Sequence, residues 1–155
     1  MDVISIPIGL VSLIGRLALA AALGAVIGWN REVEHKPAGL RTHALASLGA
    51  ALFTAIGLAL GSGDPSATGR VLQGIVVGIG FIGGGVILHR DDMKGVHGLT
   101  TAAAIWVASG VGVASAAGLW RAAIATVGIT LIVLIFGEPI DRYLSNRSKN
   151  PEMKH

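Results

Sequence analysis

The sequence predicts an all-α integral membrane protein, a bundle of five transmembrane helices, and three observations carry that expectation. Apolar residues make up 52% of the 155-residue chain and charged residues only 14%, where a soluble domain carries about 25% charge. The apolar residues gather in five segments of roughly 20 residues, enough at about 1.5 Å rise per residue to cross a hydrocarbon core about 30 Å thick. Lys and Arg are shared unevenly between alternate junctions of those segments.

The five segments run approximately Ile8–Trp29, Thr42–Leu60, Val71–Leu88, Thr100–Ala117 and Arg121–Ile140. The first is preceded by Asp2 and holds no basic residue before Arg16. It therefore lacks the basic n-region of a cleaved signal peptide and is expected to stay in the mature protein. A turn-rich piece, Gly61-Ser62-Gly63-Asp64-Pro65-Ser66, separates the second and third segments, and a tight link around Gly118-Leu119-Trp120 joins the fourth and fifth. Residues 1–140 are read as one five-span domain, and 141–155 as a polar, basic tail beside an anionic leaflet.

Orientation follows from the basic residues. One set of junctions holds Arg31, Lys36, Arg41, Arg90, Lys94, Arg142, Arg147, Lys149 and Lys154, and the opposite set holds Arg70 and Arg121. Such a bias puts the N-terminus outside and the C-terminus in the cytoplasm. Trp29, Trp120 and Tyr143 fall near the expected interfaces, where amphipathic rings are favoured. Arg16 lies inside the first run. It either faces the bundle interior or snorkels from a tilted or interfacial segment. The spans are read as free of carboxylates to pair with it.

Several function classes are excluded at this stage. The chain has no cysteine, which removes disulfides, thiolate chemistry and cysteine-ligated metals. Its net charge is +3, but the basic residues form short clusters at the ends of apolar runs, so no nucleic-acid partner is expected. Gly78-Ile79-Gly80-Phe81-Ile82-Gly83 spells G-x-G-x-x-G but lacks the preceding strand and the acid about 20 residues on that a dinucleotide site needs. No nucleophile–base pair stands out, and no enzyme is predicted.

Glycine pairs four residues apart, Gly24 with Gly28, Gly74 with Gly78 and Gly80 with Gly84, are expected to let helix backbones approach closely. Gly83 and Gly85 make the third span smooth on more than one face, so it is expected at the centre of the bundle. Homo-oligomers or contacts with other membrane proteins are the partners this packing favours, beside the lipid bilayer itself.

The polar equipment sits in two blocks on the expected cytoplasmic side. In Asn30–His43, Arg41 can offer five donors to a carboxylate or phosphate, and His43 is a side chain that can titrate near neutral pH. Pro37 and Gly39 allow a tight turn. A pairing of Arg41 with Glu32 stands beside ligand binding as an explanation of these charges. In the second block Asp91 and Asp92 could hold a hard cation such as Mg²⁺, and Thr100 is a candidate N-cap for the fourth helix. The candidate cluster is Arg31, Glu32, Lys36, Arg41, Thr42, His43, Asp91, Thr100 and Thr101. The candidate metal ligands are Glu32, Asp91 and Asp92, with Mg²⁺ the only cofactor indicated.

Gly24-Ala25-Val26-Ile27-Gly28-Trp29-Asn30-Arg31-Glu32 followed by Lys36-Pro37-Ala38-Gly39-Leu40-Arg41-Thr42-His43 resembles the signature of the MgtC/SapB family of bacterial inner-membrane proteins. Gly78–Gly85 is similar to that family's glycine-rich third span, and Val96–Val107 to its fourth. The resemblance implies a five-span domain in the bacterial inner membrane. It also implies a link to growth at low Mg²⁺ and, in some members, to virulence and survival inside host cells. Better-studied members resemble regulators of membrane proteins, ATP synthase among them, although older naming ties the family to Mg²⁺ transport. Longer members carry a further cytoplasmic C-terminal domain, whose functions are not carried over. Asn30 stands where many members have Glu, which removes one carboxylate from beside Glu32.

Overall fold

A computed structural model describes residues 9–61, 64–88 and 97–148. Five helices follow one another: α1 Leu10–Val33, α2 Leu40–Leu60, α3 Pro65–Leu88, α4 Leu99–Ala116 and α5 Trp120–Ser148. Each is long and apolar enough to cross a membrane. Together with the short links between them, this makes the chain a multi-pass membrane protein.

The helices match the five expected segments with shifted ends: α2, α3 and α5 are longer, α1 starts and ends later, and α4 is displaced by one residue, because hydropathy marks apolar length and not the helix caps. Pro65 opens α3 at its first position, where the missing N–H costs nothing. α5 runs on through Pro139 to Ser148.

α4 sits at the centre. It touches all four other helices, and nine of its 18 residues are buried. Among the described side chains of α3, only Ile79 and Gly83 are buried. This corrects the expectation of a central third span. Its many glycines leave it smooth, and α4 takes the centre through small residues at Ala104, Ala108, Gly112 and Ala116. The main core joins Ile27 of α1 to Ala108 and Val111 of α4 and to Ala123, Val127 and Leu134 of α5. A second cluster brings together Ala20, Ala51 and Ala116.

Where α1, α2 and α4 meet, the backbones approach closely. A Cβ on Gly24 would lie 2.6 Å from the His43 carbonyl oxygen and 2.7 Å from the Ser47 Cβ, and one on Gly28 would lie 2.6 Å from the Leu40 Cα. A Cβ on Gly112 would overlap the Ser47 carbonyl. The Ser47 hydroxyl donates to the Ala20 carbonyl at 2.7 Å, across to α1. Gly74, Gly78, Gly80 and Gly84 face open space within the single chain.

Two links end helices in the same way. After α1 the Lys36 N–H donates to the Arg31 carbonyl and the His35 N–H to the Glu32 carbonyl. After α4 the Leu119 N–H donates to Ala114 and the Gly118 N–H to Ser115. Both are Schellman closures, which need a left-handed residue just past the cap. Gly118 supplies it at φ 83°, whereas His35 adopts φ 54° despite its side chain.

Arg16 takes up the α4 link. Its Nη1 donates to the Ala116 carbonyl at 2.7 Å, placing a cation at the negative end of α4. Arg16, half-buried, thus meets a helix terminus in place of an acid, and residues 1–8, on which the alternative reading depends, lie outside the described residues. Arg70 and Arg121 lie at this same end. There Arg121 stacks 5.0 Å from the Trp120 ring. The Ser66 hydroxyl and N–H, then Arg70, hold the exposed Asp64 carboxyl below the usual carboxylate range. Trp29 marks the opposite end, where α1 leads into α2, and both Trp rings are well exposed.

Candidate functional site

The end of the bundle marked by Trp29 carries the candidate residues, and the turn 34–39 organises them. Because the closure after α1 folds the chain back sharply, Arg31 is trapped inside, at 2% exposure. Its Nε and Nη2 both donate to the Asn30 side-chain oxygen, and Nη2 also pairs with Glu34. The Asn30 amide in turn donates to Glu34 at 3.1 Å. Asn30 thus orients the buried arginine and its acid together.

Lys36 carries the network to α5. Its Nζ lies 3.2 Å from Glu138 and 4.0 Å from Glu34. Glu138 lies inside the segment read from sequence as the fifth span, which corrects the expectation that the spans are free of carboxylates. Its signal was available: an acid at the end of an apolar run, on the same side as Lys36.

Glu32 does something else. Its carboxylate accepts the Leu40 N–H at 3.0 Å, so it caps α2, whose own N-cap residue Gly39 has no side chain to do so. A Cβ on Gly39 would overlap that carboxylate. No ion pair joins Arg41 to Glu32 among the described residues, and Arg41 is exposed.

Thr100 is not the N-cap of α4. The helix starts one residue earlier, with Gly98 as cap at φ 86° and no side-chain cap bond. The glycine permits a left-handed entry that threonine would resist, and a Cβ there would meet the Val86 carbonyl at 2.9 Å. Thr100 and Thr101 therefore sit in the first turn of α4. There Thr101 is 2% exposed.

These residues do not form one cluster. Arg31, Lys36, Thr100, Thr101 and Glu138, with His97, line a cavity of about 570 Å³ between α1, α4 and α5. Glu32, Arg41 and Thr42 line a shallower hollow of about 360 Å³ on the other flank of the turn, with His35, and Lys36 borders both. His43 belongs to neither. It is fully buried in α2, with Nδ1 2.9 Å from the Gly39 carbonyl oxygen and Nε2 without a hydrogen-bond partner among the described residues. Asp91 and Asp92 lie outside the described residues. Among the described residues no three His, Cys, Asp or Glu side chains come together as a metal site.

Elsewhere in the spans, hydroxyls are bonded to main-chain carbonyls: Thr54 to Ala50, Ser109 to Ile105 and Ser115 to Val111. Such bonds satisfy polar groups in lipid without opening a polar path.

Known proteins share this chain's pattern. The MgtC family profile matches residues 17–143. The protein SrpB of Synechococcus elongatus is 40% identical over 146 residues, covering 86% of this chain and 80% of that protein. Protein MgtC of Brucella abortus is 47% identical over 117 residues and that of Salmonella typhimurium 43% over 118. The alignments cover 75% and 76% of this chain and 48% of each of those proteins, so the chain spans about half the length of these MgtC relatives. No solved structure matches it. With the family match reaching from α1 into α5, across every helix of the bundle and both flanks of the 34–39 turn, this chain belongs to the MgtC family.

Proposed function

We propose that this chain is a regulatory or ion-sensing protein of the bacterial inner membrane, linked to Mg²⁺ homeostasis and to adaptation to low Mg²⁺ or acid stress. In this reading the Trp29 end faces the cytoplasm, as the bias of Lys and Arg favours, and the protein acts by contact with a second copy or another membrane protein. A role in virulence, as in some relatives of the resemblance, belongs to the same reading.

One observation carries it. The Asn30–Arg31–Glu34–Lys36–Glu138 network ties the α1–α2 turn to α5 through partly exposed ion pairs. Such pairs weaken with ionic strength and with competing cations, so the position of α5 against the turn depends on the ionic medium. The glycine face of α3, open in the single chain, offers a smooth surface to a partner helix.

The alternative is a transporter or channel subunit for Mg²⁺ or another small cation. Against it stand the hydroxyls bonded to main-chain carbonyls and the position of Glu138 at one end of its span.

Growth at low Mg²⁺ tests the proposal. A strain lacking its own copy and carrying Glu138→Gln or Lys36→Gln is expected to grow poorly, and the swapped pair Lys36→Glu with Glu138→Lys to recover part of the growth. Wild-type growth of both single variants would overturn the role of the network. Purified protein in liposomes is expected to pass no Mg²⁺ down a gradient, and saturable flux would favour the alternative.

A further inference from the structure

We propose that the cavity between α1, α4 and α5 binds a phosphate group, carried either by free inorganic phosphate or by an anionic lipid headgroup. The proposal rests on the reading of this end as the working end of the protein, and adds the chemistry of what enters it.

Three independent features converge on the cavity. The first turn of α4 opens it, and with no side-chain cap on Gly98 the N–H groups of Leu99, Thr100 and Thr101 remain for a ligand or solvent. The Ala102 N–H is already bonded to the Gly98 carbonyl. A helix N-terminus favours negative charge, but it alone does not make a site.

The second feature is Arg31. Its guanidinium is almost wholly buried, and Nε and Nη2 are engaged by Asn30 and Glu34. Nη1 makes no hydrogen bond among the described residues, and Arg31 lines the cavity. A planar guanidinium with a free edge suits a phosphate oxygen.

The third is Thr101. It too is 2% exposed and lines the cavity, and its hydroxyl makes no side-chain hydrogen bond among the described residues. Other buried hydroxyls in this bundle, those of Ser47, Thr54, Ser109 and Ser115, each bond to a main-chain carbonyl. Thr101 is the exception among them, and it lines the same cavity as Arg31.

The carboxylate in the wall does not oppose this. Lys36 holds Glu138 at 3.2 Å, and Glu34 is paired with Arg31. The acids are thus already matched by cations, and the helix terminus adds positive potential to a neutral set. The shape also fits: a hole of about 570 Å³ is within the usual range of about 300–1,000 Å³ for small-molecule sites.

The test uses the full chain in dodecyl maltoside and in nanodiscs. Inorganic phosphate is titrated at constant ionic strength, with chloride as control, and binding is followed by calorimetry. In the second arm, nanodiscs of phosphatidylcholine with increasing phosphatidic acid are compared by the thermal midpoint of the protein. Saturation by phosphate assigns the free ion, and stabilisation by phosphatidic acid alone assigns the headgroup. Thr101→Val is expected to weaken binding about tenfold, the effect of losing one hydrogen bond to a charged group, and Thr101→Ser to restore it. Lys36→Gln, at a partly exposed side chain, is expected to weaken binding by leaving Glu138 without this cation, without disturbing the core. If neither probe binds, or if folded Thr101→Val and Lys36→Gln both bind as wild type does, the site is overturned. The growth test of the Glu138 network stands or falls separately, because binding is read on purified protein.

Discussion

Adding a single methyl group at Gly24 tests whether α1 and α2 are held at backbone contact. A carbon–carbon contact is comfortable at about 3.5–4.0 Å, but an alanine Cβ here would lie 2.7 Å from the Ser47 Cβ and 2.6 Å from the His43 carbonyl oxygen. The atom most crowded is main chain, so relief requires the helices to separate by up to about an ångström. Separation would lengthen the 2.7 Å Ser47–Ala20 hydrogen bond and loosen Gly112 against Ser47. Overpacking of this kind costs about 1–3 kcal/mol, while replacing glycine within a helix returns about 1 kcal/mol. Gly78→Ala is the internal control, because nothing lies within 4 Å of the new methyl. It is expected to be neutral or slightly stabilising. The two variants should therefore differ by about 2 kcal/mol, with Gly24→Ala the weaker. Unfolding by heat or by dodecyl sulfate in micelles, followed by circular dichroism, measures that difference. Equal stability of the two would refute the claim of backbone contact. A loss confined to Gly78→Ala would place the tight contact on α3, against a partner.

Four shorter predictions follow from particular residues. His35→Gly should stabilise the protein by about 1 kcal/mol, since a side chain at φ 54° is strained, and thermal melting in detergent would detect it. Arg16→Leu should destabilise by about 1–2 kcal/mol through loss of a charge-assisted bond to the end of α4, and amide exchange at 115–119 should accelerate. Glu32→Ala should cost about 1 kcal/mol as a lost helix cap, with Glu32→Gln retaining part of it. If instead Glu32→Gln removes a Mg²⁺-dependent shift in melting temperature, Glu32 is a metal ligand and the capping account is insufficient. The lowered Asp64 carboxyl adds stability above the usual carboxylate range and loses it as pH falls through its depressed value. Asp64→Asn should therefore flatten the acid limb of the stability profile, and matching limbs would show that Asp64 does not contribute.

The number and order of the helices were legible because lipid imposes a length and a composition on anything that crosses it. Tertiary roles were less legible. Glycine spacing pointed equally to Gly24 and Gly78, but only the first meets a neighbour, since spacing places residues on one face without saying which helix lies opposite. Gly112 escaped notice because its close contact depends on Ser47, 65 positions earlier. At the candidate site, Arg31 and Lys36 were visible as charges in an awkward place. Glu34, three residues on from Arg31, had a readable helical spacing, but Glu138 lies 102 residues from Lys36. Thr100 was misread as a cap because Gly98, which has no side chain to signal the role, starts α4.

The place of α4 has a consequence for biogenesis. The helices leave the ribosome in order, and α1 with α2 can join at once through Gly24, Gly28 and Ser47. α3 has only the edge of α2 to rest on until α4 arrives, because it makes no contact with α1. The nascent chain therefore passes through a stage in which three spans are inserted but one is nearly without neighbours, and a ribosome stalled before Leu99 would leave α3 open to membrane quality-control proteases.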